Sequence, residues 1–431
     1  MHKSRSKWFR LGLILVASFV LFSYMAPPSY PIVKAGPPHE GIICTTNATS
    51  TFDLTTTTGY IGTPDDNVVF MWGYSTSGSP FQHPSPVLCV NEGDTVTIIL
   101  HNTLPQDVSI AFPGQENVMA NGAPAQPQFD GSGNLTSLTN VAAANGGSMT
   151  YSFVASKPGT YLYQSGTNPA IQVRMGLFGA LIVRPALGGN FAYDRTDSEF
   201  NANTEFMVLL SEIDPYLNQA VQRGRTFNME NYRARYWLIN GRGFPDTIAP
   251  NFADWLPTQP YGALARIQPY DATVNPQPGI ARYINVGTTE FPFHPHGNNG
   301  RVVGRDGHPL EGAGGEDLSF EKFAINLGPG QTWDVLFRWY DAESYDVTDN
   351  PIDVTVPNLQ NLVVGQYYSG DPYLGNQGPI PVGEAVTNEC GEYYIISHNH
   401  ALHQITSWGV PMTGPITYLR IDPPSPNTCS P

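Results

Sequence analysis

Along most of this chain, apolar and polar positions alternate in short runs interrupted by Gly, Pro and Asn. A two-residue alternation marks a half-buried strand, and few windows show the longer apolar period of a helix. "DNVVFMWGYSTS" at 66–77 and "PVLCVNEGDTVTIILH" at 86–101 read as strands of an antiparallel sandwich. "VAAANGGSMTYSFVASKPGTYLYQSG" supplies two more strands around the turn "ASKPGT", and "MGLFGALIVRP" closes the unit. Residues 40–186 are therefore expected to form one sandwich. "ALGGNFAYDRTDSE" follows as a linker by composition, with Gly and Asn and no period.

A second block, 200–425, opens with "TEFMVLLSEI" and runs through "ARYWLINGRGFPDT", "ALARIQP", "GIARYINVG", "FPFHPHG" and "RVVGRDG". It continues with "FEKFAINLGPGQTWDVLFRWYD", "EYYIISHNH" and "PITYLRIDP". These strands suffice for a second sandwich, with an irregular insertion at about 341–386 and a helical turn or two near 212–224. The fold class expected is all-β, two packed sandwiches in 431 residues.

Composition narrows the setting. A formal net charge of −15 disfavours nucleic acid and anionic membrane surfaces as partners. Its bland reading, solubility outside the cell, is preferred to an acidic recognition face. The basic start "MHKSRSKWFR" and the uncharged apolar run "LGLILVASFVLFSYM" have the form of a secretory signal over 1–35, with "VKA" ending at Ala35 as a candidate cleavage site. The run is short for a membrane span, and an uncleaved N-terminal anchor is the other reading. A secreted, periplasmic or cell-surface protein is expected. Export favours disulfides among Cys44, Cys89, Cys390 and Cys429. The pairing is open from sequence; one bridge per domain, Cys44–Cys89 and Cys390–Cys429, is the expectation. No hydrolase, P-loop or dinucleotide fingerprint occurs.

Candidate chemistry lies in two histidine pairs. His294 and His296 stand in "EFPFHPHGNNG", His398 and His400 in "IISHNHALH". Strand residues two apart share a face, so each pair presents two imidazoles on one side. If the two strands adjoin, four imidazoles converge on one volume, enough to hold a copper or zinc ion. One His-x-His arises often by chance or as hydrogen-bonded surface histidines. Two pairs on strands, in a chain with ten histidines, favour a metal site.

At this point the chain resembles the multicopper oxidases, which are built from cupredoxin-type Greek-key β-sandwiches. In the first domain the likeness rests on "VNEGDTVTIILHNTLPQDVSI", "FDG", "PGTYLYQS" and "GLFGALIV". In the second it rests on "YWLINGRGFPDT", "RYINVG", "FPFHPHG", "LGPGQTWDVLF" and "SHNHALH". The resemblance implies two cupredoxin-like domains, copper as cofactor, and a homotrimer, since two-domain relatives commonly place a copper cluster between subunits.

The family's ligands form four motifs: His-x-His-Gly, His-x-His, His-Pro-x-His-x-His and His-Cys-His-x-x-x-His. They hold a mononuclear type 1 copper and a trinuclear cluster. Here the first falls on "SIAFPGQ", with Ala111 and Pro113 at the histidine positions. The second falls on "YLYQSG", with Gln164 and Gly166. In the third, Phe291 replaces the type 1 histidine, while His294 and His296 match cluster ligands. In the fourth, His398 and His400 match cluster ligands, and Asn399 stands where the type 1 cysteine belongs. His403 falls one residue short of the remaining type 1 histidine, and Met412 lies near the axial position.

A type 1 centre needs a thiolate, which Asn399 does not supply. The resemblance thus implies fewer than four copper ions, held by His294, His296, His398 and His400, with Gln164 and Asn298 as polar neighbours if a first-domain surface covers them. Ordinary laccase-type catalysis is not expected; the other reading is a non-catalytic scaffold for copper sequestration or partner binding. Tyr161, Tyr163, Tyr393 and Tyr394, which flank the motifs, read as packing rather than redox relays. Asp130 and Asp306 read as turn residues. His101 and His308 have no partner at ligand spacing, and His39 and His83, in Pro-rich loops, are expected to be solvated.

Overall fold

The structure, a computed structural model, describes residues 40–340 and 393–422. The N-terminal segment 1–35, His39, the insertion at 341–386, and Cys390 and Cys429 lie outside the described residues.

Strands dominate because alternation dominates, and they sort into two sandwiches. In the first, a six-stranded sheet includes Val68–Thr76, Thr51–Gly62, Thr95–His101 and Ser148–Val154 side by side. A three-stranded sheet orders Gly159–Gln164, Phe178–Arg184 and Leu88–Asn91. Their facing sides enclose Trp72, Tyr74, Ile98, Leu100, Tyr151, Tyr163 and Leu181. The Thr51–Gly62 strand went unrecognised in the sequence: "TFDLTTTTGYIG" is threonine-rich, so its alternation is one of burial rather than of residue class. Cys44 and Cys89 form a disulfide in this unit, as expected.

In the second sandwich, one sheet contains Gly300–Arg305, Thr332–Phe337, Gly279–Asn285, Glu205–Ile213 and Tyr236–Ile239 in that order. The other orders Ala265–Ile267, Ile416–Ile421, Tyr393–Asn399, Phe291–Pro295 and Ile325–Leu327. Phe206, Tyr283, Phe291, Phe293, Val335 and Phe337 fill the space between. Every residue of Glu205–Ile213 is buried. One face serves this core, while Met207 and Leu209 pack on Leu162, Ala180 and Ile182 of the first sandwich. Covering both faces explains why this strand reads as an apolar run instead of an alternation. The helix Pro215–Gln222 falls where expected, started by Asp214, whose carboxylate accepts from the Tyr216 N–H.

Two expectations change. "ALGGNFAYDRTDSE" is irregular, as its composition says, but it is no free linker. Ala192 and Tyr193 are buried with Phe200, Ile280 and Leu336, and the Tyr193 hydroxyl donates to Asp334 at 2.6 Å. His83 is not solvated. Its loop folds under the second sandwich, the His83 N–H donating to the Thr258 carbonyl, and the ring is fully buried against Phe178. Neither ring nitrogen has a partner among the described residues, and burial pushes the imidazole pKa down to about 3.

Candidate metal centre

Phe291–Pro295 and Tyr393–Asn399 are adjacent antiparallel strands, with His294 directly opposite His398 and Phe293 opposite Asn399. Because side chains alternate, this register brings both histidine pairs to one face and sends Phe291, Phe293 and Asn399 to the other. His296 and His400 lie just past their strand ends and are tied across them. The His296 N–H donates to the Ile396 carbonyl at 3.1 Å, and the His400 N–H to the Pro292 carbonyl at 2.7 Å. Gly297 lets the chain turn away after His296. Its φ is +77°, and a Cβ there would lie 2.9 Å from the Trp339 ring.

The four rings form one cluster. His294 lies 4.5 Å from His296, 5.8 Å from His398 and 5.2 Å from His400, centroid to centroid. His296 and His398 are 5.1 Å apart, and His398 stacks on His400 at 5.7 Å. His294 and His296 also line a cavity of about 380 Å³ with Asn298, Asn299 and Phe323. Two rings have their tautomer set by backbone carbonyls. Nδ1 of His294 is 2.6 Å from the Phe323 carbonyl, and Nδ1 of His398 is 2.9 Å from the Asn399 carbonyl. A carbonyl only accepts, so each Nδ1 carries the proton and each Nε2 presents its lone pair, the orientation that metal-ligating histidines adopt. Those carbonyls left no mark in the sequence, since any residue supplies one.

His296 Nε2 and His398 Nε2 face each other at 3.0 Å. Two nitrogens about 2.0 Å from one ion would be separated by about 3 Å, so this pair fits a shared metal. The wider set is gathered without being closed: among the described residues, no three His, Cys, Asp or Glu side chains already present a complete ligand group. Burial, then the neighbouring His294, His398 and His400, holds the His296 imidazole below its ordinary pKa. Burial chiefly lowers that of His398 as well. Both are therefore neutral, the ligating form, at neutral pH.

Behind the sheet the environment differs in kind. Phe291 and Asn399 are fully buried, and the Asn399 amide donates to the Gln404 Oε1. Gln404 in turn donates to the Glu290 carbonyl at 3.1 Å and the Thr289 hydroxyl at 3.3 Å. His403 is exposed and packs its ring on Trp237, and Met412 is exposed as well. Asn298 lies beside the histidines, with its amide donating to the Arg338 carbonyl. Gln164 is elsewhere, in a backbone bridge to Ala111 within the first sandwich. Tyr161, Tyr163 and Tyr394 are core residues, and Asp130 and Asp306 accept backbone N–H bonds in turns.

A sequence profile of multicopper oxidases matches residues 75–187. The fold is similar to that of a blue copper oxidase from Nitrosomonas europaea, with a TM-score of 0.56 and 18% identity, over 86% of this chain and 85% of that one. The chain is similar to the multicopper oxidases, by sequence over part of its length and by fold over most of it. Laccase-12 from Arabidopsis thaliana is 26% identical over 287 residues, 63% of this chain and 43% of the laccase. An L-ascorbate oxidase from Brassica rapa subsp. pekinensis is 28% identical over 262 residues, 59% of this chain and 42% of the oxidase. The chain thus spans less than half the length of these curated relatives. The two sandwiches are cupredoxin folds, and copper is the metal that the family implies.

Proposed function

We propose that this chain is an exported copper protein with a reduced site, in which His294, His296, His398 and His400 hold fewer than four copper ions and no type 1 centre feeds them. The observation that carries the reading is the opposition of the two strand faces. One gathers four imidazoles, with His294 and His398 oriented through their Nδ1–H groups. The other holds Phe291 and an Asn399–Gln404 amide pair in the core, with His403 and Met412 turned out to solvent. An amide lacks the electron-rich sulfur that makes a blue centre, and a phenyl ring does not ligate. Copper held by these imidazoles would supply one-electron redox chemistry toward a small oxygen or nitrogen species. Asn298 and Phe323 then limit what approaches His294 and His296. The Cys44–Cys89 disulfide supports export. A homotrimer that covers the open histidine face belongs to the proposal and is tested by light scattering.

A second reading, a non-catalytic scaffold for copper sequestration or partner binding, draws on the first sandwich. Ala111 and Gln164 are paired there by hydrogen bonds of 2.8 and 3.1 Å, in the segments where the family keeps two histidine motifs. Copper analysis and electron paramagnetic resonance on the purified mature protein test the proposal. The expected result is fewer than three coppers per chain without an intense blue band, and loss of copper in His294→Ala/His398→Ala. A strong blue band, four coppers per chain, or unchanged copper in the double variant would overturn it. Turnover of no oxidisable substrate by the copper-loaded protein would favour the scaffold.

A further inference from the structure

A second cleft, of about 350 Å³, opens between the strand Val68–Thr76, the helix Pro215–Gln222 and the hairpin of Thr406–Ser407 and Val410–Pro411. Trp408 lies at the hairpin tip. Ser407 pairs with Val410, so Trp408 and Gly409 form a two-residue loop, with φ of +48° and +81°. Such turns favour Asn-Gly, and a bulky residue in the left-handed region is strained. The strain points to a use for the side chain. The indole is 43% exposed, yet it is held in place. Tyr216 lies 5.5 Å and Tyr236 6.0 Å from it, and the Arg235 guanidinium sits 5.4 Å from its ring. Asp214 anchors that guanidinium at 3.1 Å.

Carboxamides and one carboxylate surround this apolar plate. Asn218 is buried in the cleft wall, its amide donating to the Phe70 carbonyl at 2.8 Å. Asp65 accepts from Asn67 at 2.8 Å and from the Tyr236 hydroxyl at 2.9 Å, and Gln219 is exposed on the helix. We propose that the cleft binds a neutral oligosaccharide, with a pyranose ring stacked on Trp408 and its hydroxyls bonded to Asn67 and Gln219. A sugar ring combines an apolar C–H face with hydroxyls that both donate and accept, matching an indole beside carboxamides. Other ligands fit less well. A cation finds Asp65 already engaged and Arg235 already over the indole. A proline-rich peptide has few N–H groups to offer the carboxamides of Asn67 and Gln219. The site is independent of the copper reading.

Titration of the mature protein with cellobiose, maltose and N,N'-diacetylchitobiose, followed by tryptophan fluorescence and calorimetry, tests the proposal. At least one sugar should bind saturably. Trp408→Asn, which suits the left-handed turn, should keep or raise Tm while weakening binding tenfold or more. Gln219→Ala, on an exposed helix face, should weaken it severalfold, and His294→Ala/His398→Ala should leave it unchanged. Binding of none of these sugars overturns the proposal. So does equal binding by Trp408→Asn and Gln219→Ala, or binding of a proline-rich peptide in the cleft in place of sugar.

Discussion

Arg282 joins the two sandwiches, and removing its charge should be among the most damaging single changes in the chain. Its guanidinium is buried, with Nε on Glu205 and Nη1 3.1 Å from Asp334 and 3.0 Å from the Thr160 hydroxyl. Thr160 belongs to the first sandwich, whereas Glu205, Arg282 and Asp334 belong to the second. Arg282→Met keeps much of the aliphatic stem and deletes the charge. Breaking a buried pair from one side typically costs about 3–5 kcal/mol, because the partner charge is left behind. The low end applies here. Glu205 keeps Arg184, which reaches its two oxygens at 2.6 and 2.7 Å. Asp334 keeps the hydroxyls of Thr160 at 2.5 Å and Tyr193 at 2.6 Å. We expect a loss of about 3 kcal/mol in urea unfolding at pH 7, partly recovered in Arg282→Met/Asp334→Asn, where the orphaned carboxylate is neutral. The pH dependence has a definite sign. Burial alone would raise the Glu205 pKa, but Arg282 and then Arg184 outweigh it and hold the carboxyl below its ordinary 4.5. The stabilisation is present above pH 4.5 and is lost as pH falls through the lower folded value. Arg282→Met should shallow that acid slope. A loss under about 1 kcal/mol, or a double variant less stable than the single, would refute the reasoning.

Other expectations follow from single features. Asn399→Cys should not restore a blue centre, because Phe291 still faces the same interior and His403 lies outside; visible absorption after copper loading checks it. Reduction of Cys44–Cys89, or Cys44→Ser/Cys89→Ser, frees a loop of sequence separation 45 and should cost about 4 kcal/mol by loop entropy, read from denaturant midpoints. His83 is neutral in the fold, with its pKa lowered to about 3, so its stabilisation is present above the ordinary 6.5 and is lost as pH falls toward 3. His83→Met, of similar size and without a titrating nitrogen, should flatten unfolding free energy across that window.

Sequence alone determined whatever depends on neighbours along the chain. Strand period is local, so alternation marked most strands, and His294/His296 and His398/His400 were each fixed to one face before any fold was known. Asn399 was placed on the opposite face by the same parity. A helical turn or two near 212–224 was also expected, and the helix Pro215–Gln222 lies there. Only the tertiary structure decided what depends on partners distant in sequence. The register setting His294 against His398 spans more than a hundred residues, and no local period encodes it. The carbonyls that orient those two imidazoles belong to Phe323 and Asn399, and backbone groups are the same in every residue. His83 looked solvated because its loop is proline-rich, yet packing against Phe178 and Thr258 buried it. Trp408 is set over its cleft only by the fold, which brings the hairpin against the helix Pro215–Gln222. Faces are set by single steps of the backbone; neighbours across space are set by the packing of the whole core.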